Sequence, residues 1–335
     1  MIITRTPFRM SFFGGGTDYP VWYEKHGGAV LSTTIDRFCY VTCRYYPPFF
    51  DAKVRVVWSK IELVQNANEL EHPIARHTLN FLNLPKNIEI HHAADLPARS
   101  GLGASSSFTV GLLNALYALL GKKTTKADLA SEAIHIERVL AGETVGSQDQ
   151  VAAAFGGFNK IVFRTDGNIE VIPLSISGNV LRGLKDRLLL FFTGLSRSAS
   201  EVASVQVKNT PQKEKELIAM HDMVDEGVKF LENGALDDFG KLLHEAWQMK
   251  RSLTPLIANG HIDAIYEAAR SAGAIGGKLL GAGGGGFMLV YADPSRHKAI
   301  KEKLSKFLCV PFDFEQEGTQ VIHQSGGVLD GVNFT

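Results

Sequence analysis

The chain reads as an α+β protein in two domains. Two observations predict this: 335 residues exceed the size at which one core keeps growing, and strand-like and helix-like stretches come in mixed order, without strict βαβα alternation. Apolar residues at 45% and charged residues at 21% are ordinary for a globular protein and supply two cores. Lys plus Arg and Asp plus Glu each number 35, so the formal charge is zero. No global field then draws the chain to nucleic acid or an anionic membrane, and any affinity for phosphate must come from local placement. Cys39, Cys43 and Cys309 form no CxxC pair, which argues against a zinc site or a disulfide framework. Met1 to Arg5 shows no charged leader before a long apolar run, and no stretch reaches the roughly 18 apolar residues of a spanning helix. A cytoplasmic protein without membrane contact is expected, with homodimer formation open to it.

The elements follow from periodicity. Residues 29–44 alternate apolar and polar, 54–58 are rich in β-formers, and 87–92 alternate again, so the first third is largely strand. His91 and His92 fall in that last run and His221 on a polar helix face, and all three read as structural. Helices are predicted over 108–120, ending at Gly121, and 125–141, ending at Gly142, each with glycine where a left-handed terminus is wanted. A strand pair, 157–163 and 169–174, flanks an Asp166-Gly167 turn. Residues 175–183 break into small and polar types before an apolar run at 187–192, so the domain boundary is placed near residue 180, dividing 1–180 from 181–335. Helices then occupy 201–207, 211–232, 236–253 and 262–272. A glycine loop at 281–286 leads into a strand at 287–291, and a last helix spans 295–308.

One segment carries most of the chemistry: Pro97-Ala98-Arg99-Ser100-Gly101-Leu102-Gly103-Ala104-Ser105-Ser106, a glycine turn that opens a helix. Glycines let backbone approach an anion, the unpaired N–H groups of the first helical turn point at it, and the helix dipole adds about half a positive charge. A serine hydroxyl there can also reach a magnesium ion held by the same phosphates. A glycine turn capped by serine is equally an ordinary helix start. No Gly-Lys-Ser/Thr closes the turn and no strand-following G-x-G-x-x-G precedes it, so the two common nucleotide-binding loops fit poorly.

Two further glycine segments stand far away in sequence: Gly14-Gly15-Gly16-Thr17-Asp18-Tyr19, preceded by Pro7-Phe8-Arg9, and Lys278-Leu279-Leu280-Gly281-Ala282-Gly283-Gly284-Gly285-Gly286. With the serine cradle between them they resemble, in order and spacing, the three signatures of the GHMP kinases, the superfamily of galactokinase, homoserine kinase and mevalonate kinase. The resemblance spans nearly the whole chain. It implies a ribosomal-protein-S5-like β/α domain followed by a ferredoxin-like α+β domain, with ATP and Mg2+ in the cleft between them. By motif position Ser105 would be the metal-binding serine and Glu137 its acidic partner. Asp149 would meet the acceptor hydroxyl, with Arg9 beside it to hold it ionised and to stabilise charge on the moving phosphoryl group. Gly14, Gly15, Gly16, Thr17, Asp18, Gly283 and Gly284 would contact the acceptor.

Local readings of these residues leave alternatives. Glu137 lies in line with Ala133, Ile134 and Ala141 at the margin of an apolar stripe, where a carboxylate needs a partner: a metal ion or a neighbour such as Arg138. Asp149 before an alanine-rich run could simply cap a helix, and Asp18 could form an Asx turn. Galactokinase carries an acid and a histidine where this chain has Gly15 and Gly16, so a larger or different sugar is implied. Ser198 and Glu201 form an S-x-x-E capping box with Arg197 at its mouth and Lys208 farther along, which suits either a capped helix or a second phosphate site. With such a site the chain resembles the kinases of D-glycero-D-manno-heptose 7-phosphate, which phosphorylate an anomeric hydroxyl for nucleotide-activated heptose and surface polysaccharide. Fucokinase-like or galactokinase-like activity on an unphosphorylated sugar, or a sugar sensor without turnover, are the alternatives. An isoprenoid or amino-alcohol kinase would need a more apolar or zwitterion-reading pocket than Thr17 and Asp18 offer.

Overall fold

The structure, a computed structural model, describes residues 1–84, 86–194 and 199–325. The chain opens with β1 (Ile2–Phe13), the short helix α1 (Pro20–His26) and the long β2 (Gly28–Tyr45). Then come β3 (Val54–Val57), β4 (Ile61–Val64), α2 (Pro73–Phe81), β5 (Ile88–Ala94), α3 (Ala104–Leu119), α4 (Lys126–His135), α5 (Gln148–Phe155), β6 (Asn159–Phe163) and β7 (Ile169–Pro173). The second half holds α6 (Gly178–Lys185), β8 (Leu188–Phe192), α7 (Ala199–Asn209), α8 (Glu214–Glu232), α9 (Leu236–Leu253) and α10 (Gly260–Ser271). It closes with β9 (Gly276–Leu279), β10 (Phe287–Tyr291), α11 (His297–Lys303), β11 (Leu308–Cys309), β12 (Phe314–Glu315) and β13 (Gln320–Gln324).

Among the described residues the strands form two sheets. One runs β13-β1-β2-β5-β3-β4, with β12 and β6 also pairing β2, and β7 pairing β6; the other runs β11-β8-β10-β9. β2 can serve so many partners because it is long: its first residues pair β6 from Gly28↔Phe163, and its last pair β5 up to Tyr45↔Ile88. The first residues of its partner β1, Ile2 to Arg5, pair β13, so the C-terminal strands return to the first sheet. We propose the division near residue 180 as the domain partition, with 314–324 counted with the N-terminal sheet.

The apolar helix α3 lies across β1 and β2. Glycine makes the approach close, since a Cβ at Gly111 would sit 2.7 Å from Thr6 Oγ1, and Thr4 Oγ1 donates to Gly111 O at 2.9 Å. This docking, together with the wholly buried Leu112, Leu113 and Leu116, fixes where the N-terminus of α3 points. α8 and α9 pack as a hairpin beside both sheets. Gly227 on α8 admits the ring of Phe13, and Gly276 on β9 lies so near α9 that a Cβ would fall 2.1 Å from Gly240 O.

The expected elements mostly recur, with three corrections. The stretch 175–183, expected to be irregular, contains α6, whose Ser177 hydroxyl accepts from Val180 N–H. The last helix is only His297–Lys303, because the chain is drawn into β11 against β8. The helix expected over 125–141 is α4 followed by a wide π turn, Ile136–Leu140.

Candidate active site

The serine segment builds an open helix start. Gly103 is the residue before α3, at φ 77°, and no side chain caps the helix. The first N–H with a helical partner is that of Ser107, bonded to Gly103 O at 2.9 Å, so those of Ala104, Ser105 and Ser106 face outward for an anion. The turn is held from behind by the wholly buried Leu102 and from the side by the glycine loop. Gly101 has φ 83°, and a Cβ there would lie 2.4 Å from Leu280 O, so only glycine fits. Phe287 N–H donates to Ser100 O at 3.1 Å, which links β10 to the same turn.

That turn forms one wall of a cavity of about 430 Å³ between the two halves of the chain. At one end lie Trp58, His72, His92 and Phe108, with His72 and His92 ring centroids 4.9 and 4.7 Å from that of Phe108. Burial, reinforced for His92 by the neighbouring His72, pushes the His92 imidazole down to about 4, and His72 is lowered as well, so both rings are neutral near pH 7. The patch suits a flat uncharged ring. His92 therefore belongs to the cavity wall, which corrects its reading as purely structural; His91 instead meets Glu89 at 2.8 Å.

The other end is charged. Arg9, only 4% exposed, donates from Nε to Asp149 Oδ1 at 2.7 Å, from Nη2 to Oδ2 at 2.9 Å, and from Nη1 to Gly101 O at 2.7 Å. One guanidinium thus joins the first motif, the cradle and the aspartate. Asp149 is the second residue of α5, where Ser147 precedes the helix, so it is not the N-cap. Asp18 is 2% exposed and accepts from Gly16 N–H and Gln148 Nε2, each at 2.9 Å. Burial, with the Asp149 charge adding to it, raises its carboxyl above the usual range. Lys250, at the end of α9, donates to Leu279 O and Gly281 O and is pushed down to about 7 by burial and by Arg9. Lys278 donates to Phe12 O at 2.7 Å and is lowered further, by burial first and then by Lys250.

Glu137 sits in the π turn behind the cradle and is wholly buried. Its Oε1 accepts from Thr109 Oγ1 at 2.6 Å; its Oε2 accepts from Ser106 Oγ at 2.9 Å and from Gln150 Nε2. No cation pairs with it among the described residues, and Arg138 turns instead to Ser147 Oγ at 3.3 Å. A carboxylate buried without a counter-charge, reached from the cradle through a serine hydroxyl, has the hard oxygen donors that a divalent cation would take. Ser105 is exposed at the cradle mouth, whereas Ser106 makes the bond to Glu137. Among the described residues no cluster of three or more His, Cys, Asp or Glu side chains could hold a metal alone.

Burial pushes the Glu137 carboxyl up to about 7 from its ordinary 4.5. The folded chain then holds a proton there that the unfolded chain has released, so this group's stabilisation is complete below about pH 4.5 and is lost as pH rises through about 7, a change of about 3 kcal/mol. Glu137→Gln, uncharged throughout, is expected to gain thermal stability relative to the parent between about pH 5 and pH 8 in metal-free buffer. A difference in Tm that does not move with pH would remove the buried charge.

Other expected contacts fall elsewhere. Gly14 and Thr17 are scaffold: a Cβ at Gly14 would meet Ala29 O at 1.9 Å, and Thr17 Oγ1 donates to Gly14 O and Ala29 O. Gly15 and Gly16 do line the cavity; a Cβ at Gly16 would crowd Gln206 and Leu217, while at Gly15 the space is open. Gly283 and Gly284 pack against residues 256–257 and are not on the cavity wall, which ends at Gly281 and Ala282. Pro97 faces a neighbouring crevice. Ser200, Ala203 and Gln206 of α7 line the cavity, and Lys208, two residues past Gln206, is on the opposite, exposed face. Arg197 and Ser198 lie outside the described residues. The unexpected wall residues are Gln148, Gln206, Lys250, Lys278 and the aromatic patch; Lys250 had a signal, since it continues the buried series Leu243, Ala246, Trp247 at helical spacing.

A cleft between two α+β halves, with an uncapped helix start facing an arginine-held aspartate, defines a small-molecule kinase. The GHMP kinases N terminal domain model matches residues 63–157 and the GHMP kinases C terminal model residues 228–308. A D-glycero-alpha-D-manno-heptose 7-phosphate kinase of Campylobacter jejuni is 32% identical, over 95% of this chain and 98% of that one. The bifunctional fucokinase/GDP-fucose pyrophosphorylase of Arabidopsis thaliana is 27% identical, over 90% of this chain and 31% of that protein. The crystal structure of a D-glycero-D-manno-heptose 1-phosphate kinase from Bacteroides thetaiotaomicron superposes with a TM-score of 0.78 at 24% identity, covering 97% of this chain and all of that one. The chain belongs to the GHMP kinase family. It is an ATP-dependent phosphotransferase with a hydroxyl group as acceptor.

Proposed function

We propose that the acceptor is a sugar, and that the chain transfers the γ-phosphoryl group of ATP to the anomeric hydroxyl of D-glycero-D-manno-heptose 7-phosphate, giving the 1,7-bisphosphate for nucleotide-activated heptose and surface polysaccharide. The observation that carries the reading is the Arg9–Asp149 pair beside the cradle, with Asp18 and Gln148 at the same end of the cavity. The 32% identity to the Campylobacter heptose phosphate kinase supports the choice of sugar.

In this reading the neutral aromatic patch takes the adenine, and the free N–H groups of Ala104 to Ser106 take the phosphates. Mg2+, held by Ser105 or Ser106 with Glu137, would neutralise phosphate charge when bound. The protein's share is alignment and charge. Asp149 accepts the hydrogen of the attacking hydroxyl, Arg9 keeps that carboxylate ionised, and Asp18 accepts from other hydroxyls of the sugar. Arg197 and Ser198 are proposed from sequence alone to receive the distal phosphate; Lys208, on the outer face of α7, is dropped from that set.

An ADP-release assay over heptose, mannose, fucose and galactose, each with and without a terminal phosphate, tests the reading. Turnover is expected to be fastest with the heptose 7-phosphate, and Arg197→Ala is expected to raise KM for that sugar about tenfold or more while KM for ATP stays within twofold. Preference for an unphosphorylated fucose or galactose would replace the heptose assignment. Sugar binding without ADP release would make the protein a sensor.

A further inference from the structure

The glycine loop that touches the cradle is held from α9. β9 is an edge strand of its sheet, so polar groups on its open side need donors from elsewhere. Lys250, in the last turn of α9 and 6% exposed, supplies them: its ammonium donates to Leu279 O at 3.0 Å and to Gly281 O. The carbonyl between these two, that of Leu280, is the one that meets the cradle, since a Cβ at Gly101 would fall 2.4 Å from it. The approach is as close from the other side, where a Cβ at Gly281 would lie 2.4 Å from Gly101 Cα.

This contact is joined on to the reacting end. Gly101 O accepts from Arg9 Nη1 at 2.7 Å, Leu280 N–H donates to Phe287 O at 2.9 Å, and Phe287 N–H donates to Ser100 O at 3.1 Å. Burial disfavours an ammonium, and Lys250 is held well below the ordinary lysine range by it. An apolar side chain would avoid that cost, as those of Leu243, Ala246, Trp247 and Leu253 do on the same helix, but it would leave two carbonyls without donors. The lysine is therefore kept for its two bonds.

We infer that Lys250 is a positioning residue for the nucleotide: by holding Leu279 O and Gly281 O it keeps Leu280 and Gly281 against Gly101, and so sets the turn that aims the N–H groups of Ala104 to Ser106. No contact between Lys250 and a substrate is required. The inference rests on the reading that those N–H groups take the phosphates. It gives the second half of the chain a hold on the cradle that the first half carries.

Lys250→Met keeps the length of the side chain and removes the ammonium. Calorimetric binding of Mg-ATP to this variant is expected to weaken about tenfold, while KM for the sugar acceptor stays within twofold of the parent. Amide hydrogen exchange at Phe287, which bonds Ser100 O, is expected to speed up about tenfold, with the β1–β2 amides unchanged. Equal losses for nucleotide and sugar, or unchanged exchange at Phe287, overturn the inference and leave Lys250 as a part of the core. If Lys250→Met proves unfolded by thermal melt, Lys250→Gln, which keeps N–H donors on a shorter side chain, is put through the same comparison, and the same outcomes decide. In the parent, Mg-ATP is expected to slow exchange over residues 104–107. No slowing there overturns the cradle reading itself, a result distinguishable from failure of the variant on a parent whose cradle responds.

Discussion

Asp149→Asn is expected to lower kcat by about three orders of magnitude, with affinity for ATP changed by no more than a few-fold. Asparagine has nearly the same shape, so α5 and the cavity wall should persist. What disappears is the charge and one of the two acceptors that Arg9 grips through Nε and Nη2. An amide nitrogen facing the guanidinium would set donor against donor, and the hydroxyl to be phosphorylated would lose the group that takes its hydrogen. In the proposed reading nucleotide binding draws on the start of α3 and the aromatic patch instead, so the two effects are expected to separate. Single-turnover kinetics and calorimetric ATP binding would measure the two halves. Turnover within tenfold of the parent would remove Asp149 from the reacting centre.

Arg9→Met should cost about two to three orders of magnitude in kcat, and Arg9→Lys should recover only a small part of it. A lysine keeps the charge but cannot hold Asp149 through two parallel bonds and Gly101 O through a third. The double variant Arg9→Met with Asp149→Asn is expected to be little worse than Asp149→Asn alone, because the two act as one unit. Fully additive losses would mean that the arginine and the aspartate serve separate ends. The buried position of Arg9 at 4% exposure makes a thermal melt a necessary companion measurement.

Much of this site was legible because its signals are local. The glycine turn at Gly101 to Gly103 and the serines after it announce an open helix start wherever they occur, and the structure places α3 from Ala104. Helix 236–253 and strand 287–291 coincide with α9 and β10 because their apolar spacing is uninterrupted. α6 was hidden by Gly178 and Gly183, which lower helix propensity although Ser177 caps it. Glu137 could be placed only at the edge of a stripe, since the hydroxyls and amide that enclose it come from Ser106, Thr109 and Gln150 on other helices. His92, in a strand-like run, gave no hint that Phe108 and His72 would meet it at a cavity.

Sequence by itself determined the family, the α+β character and the backbone conformations of the three glycine segments, because each depends on a few neighbouring residues and on which φ angles they tolerate. Tertiary structure decided which of those residues face the cavity. It turned Gly15 and Asp18 inward and Thr17 away, set Ser106 rather than Ser105 on Glu137, moved Lys208 to the outside, and brought Lys250 and Gln148 to the charged end. The physical reason is that a side chain's direction is fixed by what its element packs against, and at this site the packing partners lie far away along the chain.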